Sequence, residues 1–260
     1  MKFGCSTLLY GGFDLATALA SIHETGYDAI ELGAIPGMGE HLRAGDGPGL
    51  YDRIRELLAA NELALESVAG SGSLGTDRFE PLMAAAAALG ALCLTLGSGG
   101  VADSQVSWDR MLELVRDALP VCERTGVKLS VKPHVRAAVH NAATARRFIA
   151  EVESEWVGLN LDNTHLQRSG DDPVAAVAEL TPWILTARIR DFQSTDLSIG
   201  AVESQIPGKG QADVKGYLQA LSAVPGLEYV TVEMVGTKDY SLAEVRRVVG
   251  EALVALRGYL

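Results

Sequence analysis

Short apolar, strand-like runs alternate with longer stretches of helical periodicity from one end of the chain to the other, at a step of roughly thirty residues. That is the repeat of a βα unit. The apolar runs predict strands over Lys2–Ser6, Ala29–Gly33, Ala64–Ala69, Leu92–Gly97, Lys128–His134, Val157–Asp162, Leu185–Arg190 and Tyr229–Val235. Helical patterns fill the intervals over Leu15–Thr25, Gly49–Asn61, Glu80–Leu89, Trp108–Thr125, Ala142–Val152, Pro173–Leu180, Val214–Ala223 and Leu242–Arg257. Gly26, Gly90 and Gly126 stand just ahead of strands, where a left-handed helix cap is required. Strict alternation of this kind over 260 residues predicts an α/β protein made of a single (β/α)8 TIM barrel. A doubly wound parallel sheet is the main rival.

With 48% apolar and 21% charged residues the chain can bury such a core and is not disordered. Aromatics make up only 6% against 28 glycines, which suits an aliphatic, often-turning parallel α/β fold better than a β-sandwich. No linker or composition break divides residues 1–260, so one domain is expected. A formal net charge of -11 argues against a broad polyanion-binding surface, so neither nucleic acid nor acidic membrane is expected as a partner. Met1–Tyr10 has no secretory pattern and no apolar run reaches about 18 residues, which points to a soluble, cytoplasmic protein. Cys5, Cys93 and Cys122 are too scattered for a zinc or redox motif and read as small buried residues. The longest irregular stretch, Phe192–Ala212, follows the seventh strand and would lie over the barrel mouth.

Gly70-Ser-Gly-Ser-Leu-Gly75 matches a dinucleotide-binding pattern but fails on context. It follows the third strand, and the next strand ends Thr95-Leu96-Gly97 without the acidic residue that would hold a ribose. It reads as a substrate-side loop. No phosphate-binding P-loop, zinc-protease helix or hydrolase elbow is present.

Side chains alternate along a strand, so the residues sharing a face near each carboxyl end can be named. They are Ser130, Lys132 and His134 on the fifth strand, Asn160 and Asp162 on the sixth with His165 just beyond, Arg188 on the seventh, and Thr231 and Glu233 on the eighth. Glu31 on the second strand is a further candidate. Charges inside apolar strands need partners, because a buried ion loses several kcal/mol of hydration. Here Lys132 and Arg188 can face Asp162 and Glu233. A salt-bridge layer that merely closes the barrel is the plain alternative to an active site.

Four segments carry a resemblance to the xylose-isomerase-like TIM barrels, the family of sugar isomerases and epimerases that includes endonuclease IV. They are Gly26-Tyr-Asp-Ala-Ile-Glu-Leu32, Leu159-Asn-Leu-Asp-Asn-Thr-His165, Gly208-Lys-Gly-Gln-Ala-Asp213 and Tyr229-Val-Thr-Val-Glu-Met234. The resemblance implies a divalent cation held by Glu, Asp, His and Glu on strands five to eight, with carboxylates moving a proton on carbon. Asp162 and Glu233 keep that pattern, and His165 matches a family histidine that contacts substrate or metal. Lys132 stands where the strand-five Glu is expected, and Arg188 where the strand-seven His is expected. Neither can donate a lone pair to a metal while charged, so no metal or other cofactor is expected.

The expected chemistry is therefore proton transfer on a sugar-like hydroxy-carbonyl or sugar-acid substrate, by an isomerase, an epimerase, or a lyase working through an enolate. Lys132 and Arg188 supply fixed positive charge in place of the metal. Glu233 is the expected base, Asp162 the acid partner or the orienter of Lys132, and His165 a second proton shuttle with a pKa suited to neutral pH. Glu31, His134, Ser130 and Asn160 are expected to bind substrate. A Schiff base on Lys132 is disfavoured, because it needs a neutral amine and two neighbouring carboxylates favour the charged ammonium. Two alternatives stand beside this reading: a non-catalytic sugar-binding or partner subunit, and a Mn- or Mg-dependent enzyme using His134, Asp162, His165 and Glu233. His23, His41 and His140 are expected at the surface. DNA repair is disfavoured, because five histidines with only two or three near the mouth are too few for a zinc cluster and an acidic surface has the wrong sign for duplex DNA. The resemblance also makes a homodimer or homotetramer an expectation.

Overall fold

The computed structural model describes residues 1–260. Eight strands form the inner wall: β1 (Lys2–Ser6), β2 (Ala29–Ile35), β3 (Ala64–Ala69), β4 (Cys93–Gly97), β5 (Lys128–Lys132), β6 (Val157–Asp162), β7 (Ile184–Ile189) and β8 (Tyr229–Val232). Each pairs in parallel with the next, and β1 pairs with both β2 and β8, so the sheet closes into a barrel. An open doubly wound sheet would leave two free edges. Eight helices form the outer layer: α1 (Leu15–Thr25), α2 (Pro48–Ala60), α3 (Phe79–Leu89), α4 (Gln105–Thr125), α5 (Ala142–Val152), α6 (Pro173–Leu180), α7 (Val214–Ser222) and α8 (Leu242–Arg257). No helix is long and apolar enough to cross a membrane.

The helix boundaries follow their capping chemistry. Asp14, Ser104, Asn141 and Ser241 accept backbone N–H bonds at helix starts, and Gly26 and Gly90 end helices at φ 98° and 74°. Outward-facing strand residues such as Ile30, Leu94, Leu129 and Val230 are fully buried against the apolar faces of the helices, including Leu19, Ile22 and Val249. All three cysteines are free and buried.

Two predicted strands stop early. β5 ends at Lys132 because Pro133 has no N–H to continue the ladder, and β8 ends at Val232, beyond which Val235 N–H turns to the side chain of Gln205. β2 runs on to Ile35 and folds back on a two-residue antiparallel strand at Gly39–Glu40. A six-residue helix, Asn163–Arg168, leaves the end of β6 directly. Between β2 and β3 the pairing jumps from Ile30↔Leu65 to Glu31↔Ser67, so Glu66 is the extra residue of a bulge.

Candidate active site

Two tiers of charge fill the upper barrel. The lower tier surrounds Arg188, whose side chain is fully buried. Its Nη2 donates to Glu31 and, at 3.0 Å, to Ser67 Oγ; its Nη1 donates to Glu66 Oε2 at 3.0 Å. Glu31 also accepts from Ser6 Oγ (2.9 Å) and Thr95 Oγ1 (2.7 Å), and Glu66 from Thr231 Oγ1 (2.8 Å). Burial works against the charge on Arg188, but Glu31, Glu66 and Glu233 more than offset it and raise its pKa. Burial would likewise raise Glu31, yet Arg188 and Lys132 hold its pKa below the usual range. Glu66 goes the other way: burial and the charge of Glu31 lift its pKa despite Arg188.

The upper tier lines a cavity of about 310 Å³ to which the carboxyl end of every strand contributes. Lys132 Nζ donates to both oxygens of Glu233, at 2.9 and 3.0 Å, and lies 3.7 Å from Asp162 Oδ2. Asp162 is fully buried; its Oδ1 accepts from Thr164 N, Thr164 Oγ1 and His165 N, and so caps the Asn163–Arg168 helix. Its Oδ2 accepts from Arg190 Nη2 at 3.0 Å. Burial alone would raise its pKa, but Arg190, His165 and Lys132 hold it well below the carboxylate range.

His165 packs its ring on His134, with centroids 3.9 Å apart. Burial pushes the pKa of His165 well down, more than Asp162 pulls it up, and Arg190, His134 and Lys132 add to the push. Its Nδ1 faces Arg168 Nη2 (3.1 Å) and its Nε2 faces Arg190 Nη2 (3.2 Å); a neutral ring accepts from only one of these donors, and a second proton would set N–H against N–H on both sides, so the ring stays neutral. His134 donates from Nδ1 to Val135 O at 2.9 Å, which leaves Nε2 with a free lone pair, and burial lowers its pKa too.

The mouth loops hold this cup in place. Asp191, next after Arg190, accepts from the backbone N–H groups of Phe192 (2.8 Å), Gly208 (3.0 Å), Gly210 (3.0 Å) and Ala212 (2.9 Å). One carboxylate thus folds the whole Phe192–Ala212 stretch, and Ile199 from that stretch lines the cavity. A second chamber of about 530 Å³ adjoins the first through Ser71, Gly97 and His134 and runs along Gly97–Gly100 to the start of α4.

Several sequence expectations change. Lys132, His134, Asn160, His165 and Glu233 line the cavity. Arg188 does not: it sits one tier lower, sealed by Glu31 and Glu66, because a side chain two residues before the strand mouth points into the barrel interior. Glu31 and Ser130 are equally sealed, Ser130 by a 2.9 Å bond to Thr186 Oγ1, and cannot reach a ligand in the cavity. Asp162 is saturated with donors and too acidic to act as a proton donor; it orients Lys132 and Arg190. His165 is neutral rather than poised near pH 7. His41 is half-buried, between Thr7 Oγ1 and Phe13 O, and His140 is likewise half-buried; only His23 is exposed as expected.

Arg190, Arg168, Glu66 and Asp191 were not foreseen. Arg190 was legible as the next inward position after Arg188, whereas the bulge hid Glu66 from any period-two reading. The residues do not suit a divalent ion. Glu233 and Asp162 already meet cationic partners, and no three His, Cys, Asp or Glu side chains converge to hold a metal. The rearranged set is not assembled, since His134 and His165 stack on each other.

No curated protein matches the sequence. Among solved structures the chain is similar to the probable 3-DHS dehydratase AsbF, involved in petrobactin synthesis, from Bacillus anthracis (TM-score 0.80, 17% identity, 99% of each chain covered). It is similar too to a D-psicose 3-epimerase in the presence of D-fructose (TM-score 0.78, 17% identity, 100% and 99% covered). A third likeness is to the IOLI protein with a binding zinc atom (TM-score 0.80, 18% identity, 100% and 99% covered). At these identities the likeness is one of fold. The family model of the xylose isomerase-like TIM barrel matches residues 19–255, and the chain belongs to that family.

Proposed function

We propose that the protein is an enzyme acting on a sugar-like hydroxy-carbonyl compound by moving a proton on carbon, as an isomerase or epimerase, without a divalent metal. The observation that carries this reading is the Lys132–Glu233 pair: a carboxylate bonded through both oxygens to one ammonium, at the wall of a cavity lined also by Arg190 and His134. When Glu233 takes a proton from the carbon beside the carbonyl, the C–H electrons become the C=C bond of an enediolate and the carbonyl oxygen gains the negative charge. Glu233 has then lost its charge, and Lys132 and Arg190 are freed to stabilise the new oxyanion. Return of the proton to the former carbonyl carbon, with the adjacent hydroxyl passing its own proton to the oxyanion, gives isomerisation; epimerisation needs delivery to the opposite face by a second group already carrying a proton, which His134 Nε2 could do only after first taking one up from solvent. Two relatives bear the names of a dehydratase and an epimerase, which supports a sugar-modifying role.

The non-catalytic alternative would have the charged residues pair off and leave no polar cavity. The open cavity, and the buried unpartnered amide of Asn160 on its wall, favour a ligand site over a closed partner subunit, and hydrogen exchange separates an enzyme from a mere sugar binder. The test is exchange of carbon-bound hydrogen with D₂O across a panel of ketoses and keto sugar acids. Glu233→Gln should lower exchange by about 10²–10⁴-fold, and chelator or added Mn²⁺ should leave it unchanged. Full activity in the Gln variant removes the base assignment, and activity lost to chelator and restored by Mn²⁺ removes the metal-free mechanism.

A further inference from the structure

We infer that the cavity is built for a substrate bearing a single carboxylate, held by Arg168 and Arg190, with Asn160 reading a hydroxyl of the same molecule. This deepens the proton-transfer reading and rests on it. Arg168 reaches the cavity wall from the short helix after β6. Its Nε donates to Thr164 O (3.0 Å), its Nη1 to Leu197 O (2.9 Å) and its Nη2 faces His165 Nδ1 (3.1 Å). All three are neutral acceptors. No carboxylate lies within 4.0 Å, unlike the guanidinium groups of Arg188 and Arg190. Burial pushes the pKa of Arg168 down, as expected of a cation lacking a close counter-charge.

Arg190 has a free valence in the same cavity. Its Nη2 is committed to Asp162 and its Nε to Thr164 Oγ1, but Nη1 is buried with no hydrogen-bond partner, 3.7 Å from Glu233 Oε1. Asn160 is fully buried, and both Oδ1 and Nδ2 are unpartnered on the cavity wall. An amide offering one donor and one acceptor matches a hydroxyl, which is both.

The way the charges pair points to the ligand. Across the two tiers Lys132, Arg168, Arg188 and Arg190 meet Glu31, Glu66, Asp162 and Glu233, four against four, and among these cations only Arg168 has no carboxylate within 4.0 Å. A neutral ketose leaves that guanidinium without a close counter-charge, a phosphate ester brings about −1.5 to −2 charges to it, and a carboxylate matches it one for one with a planar group suited to a guanidinium fork.

Calorimetric titration of the purified chain with D-glucuronate, D-galacturonate and D-gluconate, against D-glucose, D-galactose, D-glucose 6-phosphate and inorganic phosphate, tests this. At least one acid should bind about tenfold or more tightly than its neutral parent and the phosphates, and its affinity should fall with added NaCl while that of the neutral sugar does not. Arg168→Met should erase the preference and Arg168→Lys should retain part of it. The inference is overturned if neutral sugars bind as well as acids, if a phosphate binds best, if no acid binds, or if the Met variant keeps the preference. Hydrogen exchange in D₂O separates the two readings. A neutral ketose that binds and exchanges sinks the carboxylate but leaves proton transfer; an acid that binds without exchanging does the reverse.

Discussion

Glu31 and Glu66 flank one guanidinium yet are held in opposite ways. Glu31 takes Arg188, Ser6 and Thr95, and its pKa is lowered; Glu66 sits where burial and Glu31 lift its pKa. A carboxyl whose folded pKa is raised costs stability when ionised, and that cost falls away as pH drops through the folded value. Glu31→Gln should therefore cost about 3–5 kcal/mol at pH 7 by breaking a buried pair. Glu66→Gln should cost clearly less and flatten the pH dependence of stability above the usual Glu pKa. Urea unfolding of both variants from pH 4.5 to 8 decides the matter, and equal losses would refute it. Residue identities at the strand ends were readable from alternation, which gave Lys132, Asp162 and Glu233; depth was not. Whether an inward charge reaches ligand or is sealed depends on its height in the barrel, and a step of two residues separates Arg188 on β7 from Arg190 just beyond its end.

At the level of elements, Asp191 is the anchor of the longest mouth loop. Its carboxylate gathers four backbone N–H groups, and Gly210 must lack a side chain because a Cβ there would stand 2.3 Å from Asp191 Oδ1. Asp191→Ala should lower stability by on the order of 3 kcal/mol, since bonds to a charged acceptor are worth about 1.5–3 kcal/mol each and water replaces some of them. Gly210→Ala should act in the same direction. Hydrogen exchange should speed up over Phe192–Ala212 before the barrel strands, and unchanged protection there would refute the anchor. The sequence signalled a long loop over the mouth but not its order, because a carboxylate that folds its own downstream chain leaves no periodic trace. Strand ends at Lys132 and Val232 were overrun for a similar reason: pairing stops where a partner N–H is missing or diverted, while the apolar run continues.

For the whole molecule, the alternation of eight strands with eight helices was legible because each βα unit must bury one apolar helix face on the sheet, and that need is written as periodicity. Closure was not written locally. It rests on β1 pairing with β8 and on the charges that meet across the interior. The lower tier joins Glu31 and Glu66, from the first four strands, to Arg188 and Thr231, from the last four. Cutting the chain at Gly126 would strand Glu31 and Glu66 in one half without their guanidinium and leave Arg188 in the other with only the more distant Glu233, 3.8 Å away, as counter-ion. Separately produced halves should show unfolded circular dichroism spectra, recover the native spectrum on mixing, and fail to do so when the second carries Arg188→Met. Halves that fold alone would refute this. The same lock bears on ancestry: if such barrels arose by joining two half-size pieces, this lineage has since made the pieces mutually dependent, and neither could be returned to independent life without first being rid of its charge.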